Sequence, residues 1–186
     1  NLNIILFNNE IYGLTKGQYS PTSKQGKVTK STPMGSIDRP LSPAQLALGS
    51  GSSFFARVID TDHKAMAEIL AQATAHRGTS VVEVLQNCVI FNDAAFGHIT
   101  DKKTAKDTQL RLEKGAPLTF AGGEKGIAMQ DANPVVVAAG HPDVLLHQAD
   151  GSASYGGMLA SLDAPDFPRP LGVLWQHERP SYERAV

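Results

Sequence analysis

The sequence predicts an α/β fold in which a mainly parallel sheet is flanked by helices. Residues 4–7 form an unbroken apolar run, which is typical of a parallel strand whose sheet is covered by helices on both faces. Residues 53–85 follow the order strand, amphipathic helix, strand, which predicts a βαβ unit with parallel strands. The chain has 186 residues, of which 41% are hydrophobic, so it can bury the core of one domain.

The composition excludes several function classes. A net charge of −1 argues against a general binder of nucleic acid or anionic membranes. No apolar stretch approaches the length of a transmembrane helix. The single cysteine, Cys88, excludes an intrachain disulfide and fits a reducing cytoplasm. We therefore expect a cytoplasmic protein.

The first strand ends in polar residues that could meet a ligand. The apolar run stops at Asn8-Asn9, and the segment continues through Lys16 to Gln18. In an open α/β sheet, ligands bind outside the carboxyl ends of the strands. Asn9 could give an oxygen to a cation such as magnesium, and Lys16 could neutralise a carboxylate or phosphate. The residues alone leave open a polar loop that merely closes a buried strand.

Residues 19–40 are predicted to form a loop, because they are polar, lack periodicity and contain several prolines. A loop of this length is usually functional, mobile or laid against a partner. Its basic residues could bind anions or simply face solvent: Lys24, Lys27, Lys30 and Arg39. A short helix at 42–49 follows, with Ser42 as its N-cap, Pro43 in its first turn and Gly49 at its end.

The predicted βαβ unit has a strand at 53–59, a helix that starts at Asp60-Thr-Asp62 and runs to about residue 75, and a strand at 79–85. One face of the helix is apolar at helical spacing: Met66, Ile69, Leu70 and Ala73. His63 and His76 flank the helix and are expected to be exposed or to cap it.

Cys88 comes shortly after the end of the strand at 79–85, so we expect it near the edge of the sheet where the first strand ends. A lone cysteine in such a place is more often a small buried hydrophobe than a ligand. No histidine is placed by the sequence to activate it as a nucleophile.

The sequence predicts a boundary at residue 93, with one region at 1–93 and a C-terminal extension at 94–186. In the extension, residues 100–114 are weakly helical, and short strands are expected at 118–120 and 126–129. Residues 134–139 are apolar, a helix is expected at 152–162, and a strand at 171–175. Gly122-Gly123 indicates a turn, because no Gly-Lys-Ser/Thr follows a strand there. The histidines at 141, 147 and 177 lack metal-site spacing and are expected to be structural or exposed.

Two stretches resemble one enzyme family. Phe7-Asn-Asn-Glu-Ile-Tyr-Gly-Leu-Thr-Lys-Gly-Gln18 closely resembles the second half of the thiamine-diphosphate motif in β subunits of 2-oxoacid:ferredoxin oxidoreductases, and Lys16 is most similar to the 2-oxoglutarate type. Gln86-Asn-Cys88, with Phe91-Asn92, resembles the segment that carries the fourth cysteine ligand of a four-iron, four-sulfur cluster. The resemblance implies a thiamine-diphosphate-binding pyrimidine/diphosphate-type fold. The family's opening Gly-Asp-Gly and its other three cluster cysteines are absent, so we expect the C-terminal part of a longer protein.

The resemblance also implies roles for individual residues. Asn9 would be the side-chain ligand of magnesium, and Ile11 would supply a backbone carbonyl to the same ion. Three residues would lie near the diphosphate: Thr15, Gly17 and Gln18. Lys16 would lie near the carboxylate of the 2-oxoacid, and Cys88 would bind the iron–sulfur cluster.

The implied activity is oxidative decarboxylation of a 2-oxoacid, 2-oxoglutarate by analogy, to acyl-CoA and carbon dioxide. Electrons would pass through the cluster to ferredoxin, coenzyme A would take the acyl group, and the partner would be the α subunit of a hetero-oligomer. This chain by itself is expected to be inactive. Two alternatives remain open: a non-oxidative thiamine-diphosphate decarboxylase or synthase, which predicts no cluster, and a non-catalytic α/β scaffold.

Overall fold

A computed structural model describes residues 2–180, so Asn1 and the last part of the 94–186 region lie outside the described residues. The helices and strands, in chain order, are β1 (Leu2–Asn8), α1 (Pro43–Gly49), β2 (Phe54–Ile59), α2 (His63–Ala75), β3 (Thr79–Leu85), α3 (Gly97–Thr100), α4 (Ala105–Thr108), β4 (Gln109–Arg111), β5 (Thr119–Phe120), β6 (Lys125–Gln130), β7 (Asn133–Ala138), α5 (Ala153–Ser161) and β8 (Arg169–Gln176). In the described part of the chain, no helix is both long and apolar enough to cross a membrane.

The main sheet has five strands in the order β1-β3-β2-β8-β4. Strands β1, β3 and β2 run parallel, which confirms the predicted βαβ unit. Strand β8 is antiparallel to β2 and parallel to β4. The sheet is therefore mainly parallel, and its far side is built by residues from the C-terminal half of the chain.

The helices cover the two faces of the sheet and begin at the predicted caps. Helix α2 packs against β2 and β3 through Ile69 and Ala73, while α1 and α5 pack on the opposite face. The Ser42 hydroxyl accepts from the Gln45 amide at 3.3 Å, which is the expected N-cap bond. Asp62 caps α2 in the same way, with its carboxylate 3.2 Å from the Ala65 amide. The starts of both helices were predicted correctly because the cap residues make these bonds.

The prediction that helices cover both faces of the first strand is wrong for the described residues. Strand β1 lies at an edge of the sheet and pairs only with β3 there. Its apolar side chains are 38% (Leu6) to 59% (Phe7) exposed. The described helices pack mainly on β2, β3 and β8, so they leave β1 open. The apolar run located the strand correctly, but hydrophobicity cannot say which element covers it.

The C-terminal half adds a second, antiparallel sheet of β5, β6 and β7 to the main sheet. The short strands predicted near 118–120 and 126–129 are confirmed, and Gly122-Gly123 lies in a single 3₁₀ turn, Ala121–Gly123. The weak helix predicted at 100–114 is only partly correct, because this stretch contains the four-residue helix α4, which is followed directly by β4. Leu110 is fully buried there, and one buried position is too little to reveal a strand by its periodicity.

His147 is structural, which is one of the two alternatives, structural or exposed, that the sequence predicts. Its side chain is 2% exposed, its Nε2 lies 2.9 Å from the Val173 carbonyl, and its Nδ1 lies 3.0 Å from the Tyr155 hydroxyl. A carbonyl only accepts, so Nε2 donates to Val173, and in the neutral imidazole that burial favours, Nδ1 accepts from the Tyr155 hydroxyl. Burial lowers the pKa of His147 and raises the pKa of Tyr155 to about 12.

A pH-dependent loss of stability follows from this lowered pKa. In the unfolded chain His147 takes up a proton below about pH 6.5, whereas the buried imidazole stays neutral to lower pH. The unfolded state then binds more protons, so the free energy of unfolding falls as the pH drops below that value. Chemical denaturation at pH 7.5 and at pH 5.5 measures the free energy of unfolding at each pH. Between these two pH values the free energy of unfolding should fall less for His147→Gln than for the unchanged chain. The exposed His63→Gln is the control, and equal losses in all three proteins would contradict this origin.

Candidate functional site

Two loops meet at the carboxyl ends of β1 and β3. The Gln86 amide donates to the Asn8 carbonyl at 2.8 Å, and the Asn9 side-chain amide lies 3.4 Å from Gln86 Oε1. The loop that carries Cys88 therefore lies beside the turn that carries Asn9, as the sequence predicted from the order of the strands. We call residues 8–11 the Asn9 turn and residues 86–93 the Cys88 loop.

The Asn9 turn presents oxygen atoms to a possible cation. The Asn9 side-chain oxygen accepts from the Ile11 amide at 3.3 Å, which is the Asx-turn arrangement. Glu10 has φ +54°, a left-handed conformation that reverses the chain between its neighbours. The Ile11 carbonyl accepts no hydrogen bond from any described residue, and Asn9 Oδ1 keeps a second lone pair. Two hard oxygen acceptors on one turn fit a magnesium ion.

Residues 12–18 form a tight, exposed loop after this turn. The Tyr12 amide donates to the Gln18 carbonyl at 2.8 Å, and the Gly17 amide donates to the Tyr12 carbonyl at 3.0 Å. The side chains of Thr15, Lys16 and Gln18 are exposed. The Thr15 hydroxyl donates to the Tyr12 carbonyl at 3.3 Å and keeps its acceptor lone pairs.

Gly17 cannot be replaced without strain. Its φ is +98°, and a Cβ atom there would lie 3.3 Å from the Phe91 ring of the Cys88 loop. Because its amide already bonds Tyr12, Gly17 can serve a nearby ligand through close backbone approach rather than through a free N–H group.

A buried polar network in the main sheet contacts the Asn9 turn through Asn8. Arg57 on β2 donates from Nε to Glu83 on β3 at 2.7 Å, and both side chains are almost fully buried. The other Glu83 oxygen accepts from the Asn8 side-chain amide at 2.8 Å. Arg57 Nη1 also lies 3.4 Å from the Pro170 carbonyl of β8. The network thus links β1, β3, β2 and β8 next to the candidate site.

Sequence reasoning missed this network. The available signal was one charged residue inside each of two strands with no other charge, Phe54–Ile59 and Thr79–Leu85. Charged side chains are almost never fully buried unless they are paired, so such a pair in neighbouring strands indicates a buried contact. The parallel register places Arg57 opposite Glu83.

The loop at 19–40 is fastened to the same turn. The Thr22 hydroxyl donates to Asn8 Oδ1 at 2.7 Å, and the Ser23 hydroxyl donates to the Glu10 carbonyl at 2.5 Å. Glu10 and Lys24 both line a cavity of about 600 Å³ next to the turn. Burial raises the pKa of the Glu10 carboxyl, and the positive charge of Lys24 offsets part of this effect.

Cys88 lies half-buried in its loop as a free thiol. It is therefore not the small buried hydrophobe that a lone cysteine usually is. Its carbonyl accepts from the Asn92 amide at 2.9 Å, and the neighbouring Val89 and Ile90 are strongly exposed. Within residues 2–180, no group of three or more His, Cys, Asp or Glu side chains is placed to hold a metal ion.

Asn92 joins the two loops. Its side-chain amide donates to the carbonyls of Asn9 at 2.9 Å and Glu10 at 3.3 Å, and its side-chain oxygen accepts from the Lys27 ammonium group. The sequence singled out Asn92 only as part of a motif and did not predict these contacts.

Known proteins similar to this chain point to one family. The profile described as thiamine pyrophosphate enzyme, C-terminal TPP binding domain, matches residues 1–84. The 2-oxoglutarate oxidoreductase subunit KorB of Mycobacterium tuberculosis is 42% identical over all of this chain and 51% of its own length. The 2-oxoacid:ferredoxin oxidoreductase subunit beta of Saccharolobus solfataricus is 43% identical over 56% of this chain and 34% of its own length.

A solved structure shares the fold. The 2-oxoglutarate:ferredoxin oxidoreductase of Magnetococcus marinus, with 2-oxoglutarate, coenzyme A and succinyl-CoA bound, matches with a TM-score of 0.71 at 24% identity, over 100% of this chain and 50% of that one. This chain spans about half the length, or less, of the relatives it matches. The matches agree with the family that the sequence resembles. Over nearly all of its length the chain is similar to subunits of 2-oxoacid oxidoreductases, including a 2-oxoacid:ferredoxin oxidoreductase subunit beta that is 32% identical over 98% of this chain.

Proposed function

We propose that this chain is the cofactor-binding part of a β subunit that oxidatively decarboxylates a 2-oxoacid, 2-oxoglutarate, with coenzyme A. The products are acyl-CoA and carbon dioxide, and the electrons pass through a four-iron, four-sulfur cluster to ferredoxin. The observation that carries the proposal is the hydrogen-bonded contact between the Asn9 turn and the Cys88 loop at one edge of the sheet. A cofactor and an electron acceptor held at these two loops would be neighbours.

The Asn9 turn would hold thiamine diphosphate through magnesium. Asn9 Oδ1 and the Ile11 carbonyl are the two ligands from this chain, because both oxygens have a free lone pair on the same turn. Thr15 and Gln18 would contact the diphosphate with exposed polar groups, while Gly17 would allow the backbone to approach it. When bound, thiamine diphosphate supplies the nucleophilic carbon and the electron sink that decarboxylation of a 2-oxoacid requires.

Cys88 would supply one thiolate to the iron–sulfur cluster. Its position in an exposed loop, free of any disulfide, suits a ligand that must reach a group outside this chain. A four-iron cluster needs four such ligands, so the others must come from outside the described residues. The cluster supplies single-electron transfer toward ferredoxin.

The α subunit is the proposed partner in a hetero-oligomer. Support comes from two exposed apolar surfaces: the faces of β1, and the tip of the Cys88 loop at Val89 and Ile90. Large exposed apolar surfaces mark sites where other protein segments pack. Ferredoxin is the proposed electron acceptor, and the cytoplasm is the proposed location.

Substitution of Lys16 tests the proposed substrate. Its ammonium group is exposed at the tip of the 12–18 loop, where it can neutralise and orient a substrate carboxylate. In the reconstituted full-length enzyme, Lys16→Ala should lower kcat/KM for 2-oxoglutarate about 10–100-fold, as the loss of a hydrogen bond to a charged group would. The affinity for thiamine diphosphate should stay unchanged.

The matched control is Lys30→Ala, which removes another exposed lysine from the neighbouring loop. Steady-state kinetics that are unchanged in Lys16→Ala, or reduced equally in both variants, would rule out this role for Lys16.

A further inference from the structure

Among side chains, Asn92 makes the strongest link between the two candidate cofactor loops. It is 8% exposed, and its amide bonds the carbonyls of two consecutive residues of the Asn9 turn, Asn9 and Glu10. The other side-chain link between the loops, from Asn9 to Gln86, is longer at 3.4 Å. Asn92 therefore does more than the other side chains to fix the Asn9 turn against the Cys88 loop.

The two carbonyls that Asn92 holds control how the Asn9 turn presents its oxygens. The Asn9 carbonyl belongs to the peptide that leads into Glu10, and the Glu10 carbonyl belongs to the peptide that leads into Ile11. Fixing both peptides fixes the left-handed backbone of Glu10, φ +54°, which an L-residue does not favour by itself. The relative directions of Asn9 Oδ1 and the Ile11 carbonyl depend on this backbone.

Asn92 is also tied to Cys88 through the main chain. Its own amide donates to the Cys88 carbonyl at 2.9 Å, so the two residues close one short turn. A displacement of the Asn9 turn would therefore shift the Asn92 side chain and, through this bond, the backbone of Cys88.

We propose that Asn92 is a positioning residue that couples the magnesium-binding turn to the cysteine loop. Binding of magnesium and thiamine diphosphate at Asn9 then changes the affinity of Cys88 for the cluster, and loading of the cluster changes the affinity of the Asn9 turn for thiamine diphosphate by the same factor. The inference rests on the proposed function, and it adds the residue through which the two cofactor sites influence each other.

The test uses the full-length enzyme with its partner subunit, purified without oxygen. The dissociation constant of thiamine diphosphate is measured by calorimetry at saturating magnesium, and the electron paramagnetic resonance spectrum of the reduced cluster is recorded with and without thiamine diphosphate. In the unchanged enzyme, thiamine diphosphate should alter the cluster spectrum. Asn92→Ala should bind thiamine diphosphate about 10–100-fold more weakly, as loss of a residue that orients a metal ligand does, and its cluster spectrum should no longer respond.

A second variant separates the two bonding roles of Asn92. Asn92→Asp has the same shape and keeps an acceptor for Lys27, but it loses the N–H donors to the Asn9 and Glu10 carbonyls. It should lose as much affinity as Asn92→Ala, and it carries the test if the alanine variant does not fold. Normal binding by Asn92→Asp would instead assign Asn92 to holding Lys27.

Asn87→Ala is the matched control, because Asn87 is an exposed amide of the same loop that bonds Asp93 and Ala94 and not the Asn9 turn. It should bind thiamine diphosphate normally. The inference is overturned if Asn92→Ala binds normally, if Asn87→Ala loses as much, or if thiamine diphosphate leaves the cluster spectrum of the unchanged enzyme unaltered. Absence of thiamine-diphosphate binding by the unchanged enzyme would instead contradict the proposed function.

Discussion

Replacing Arg57 by alanine is expected to lower the free energy of unfolding by about 3–5 kcal/mol, the usual cost of breaking a buried ion pair. The reason is that the substitution leaves the Glu83 carboxylate buried without its cation, since its remaining partner is the Asn8 amide. A buried unpaired charge cannot recover its lost hydration. Chemical denaturation of the full-length chain, followed by intrinsic fluorescence, measures the change.

Two comparisons make this prediction specific. Arg111→Ala breaks the partly exposed Arg111–Asp62 pair and should cost only about 0–1 kcal/mol. Arg57→Ala combined with Glu83→Gln should be less destabilising than Arg57→Ala alone, because the double variant contains no unpaired charge and still offers an acceptor to Asn8. Equal effects of Arg57→Ala and Arg111→Ala would mean that the buried pair does not support the sheet.

Replacing Asn9 by alanine is expected to weaken magnesium-dependent binding of thiamine diphosphate by more than about 100-fold. Changes to residues that only orient a metal ligand cost about 10–100-fold, and removing a ligand oxygen should cost more. The substitution also removes the acceptor of the Ile11 amide, so the turn loses the bond that shapes it. Calorimetric titration of the full-length enzyme with thiamine diphosphate at saturating magnesium measures the loss.

Asn9→Asp tests whether the side-chain oxygen of residue 9 is the atom that matters for magnesium binding. It keeps an oxygen at the same position and adds a negative charge, so it should retain magnesium binding that the alanine variant loses. Asn133→Ala removes an exposed amide from β7 and should have no effect. Equal affinity in Asn9→Ala and the unchanged enzyme would exclude Asn9 as a ligand.

The parallel core of the fold could be predicted from the sequence because the features that define its helices and strands are local in the chain. Caps at Ser42 and Asp62 and the apolar face of α2 depend on residues within a few positions of each other. The same is true of the first strand and its polar end. The contact between the Asn9 turn and the Cys88 loop also followed, since parallel strands place their carboxyl ends at one edge.

The features that the sequence did not reveal depend on contacts between distant segments. The pairing of β8 with β2, and of β4 with β8, joins residues that are far apart in the chain. The Arg57–Glu83 pair depends on the register between two strands, and the contacts of Asn92 depend on how two loops fold back. The exposure of β1 was mispredicted because an apolar strand looks the same in sequence whether or not the surrounding elements cover it.

The most direct test of the proposed function uses the full-length β chain with its partner subunit, purified without oxygen. Iron and thiamine-diphosphate contents and the visible spectrum are measured, and then 2-oxoglutarate and coenzyme A are added. We predict bound thiamine diphosphate, about four iron atoms per β chain, and bleaching of the cluster on addition of substrate. Bound thiamine diphosphate without iron would contradict the proposal in favour of a non-oxidative decarboxylase or synthase, and absence of both cofactors would leave the chain as a scaffold.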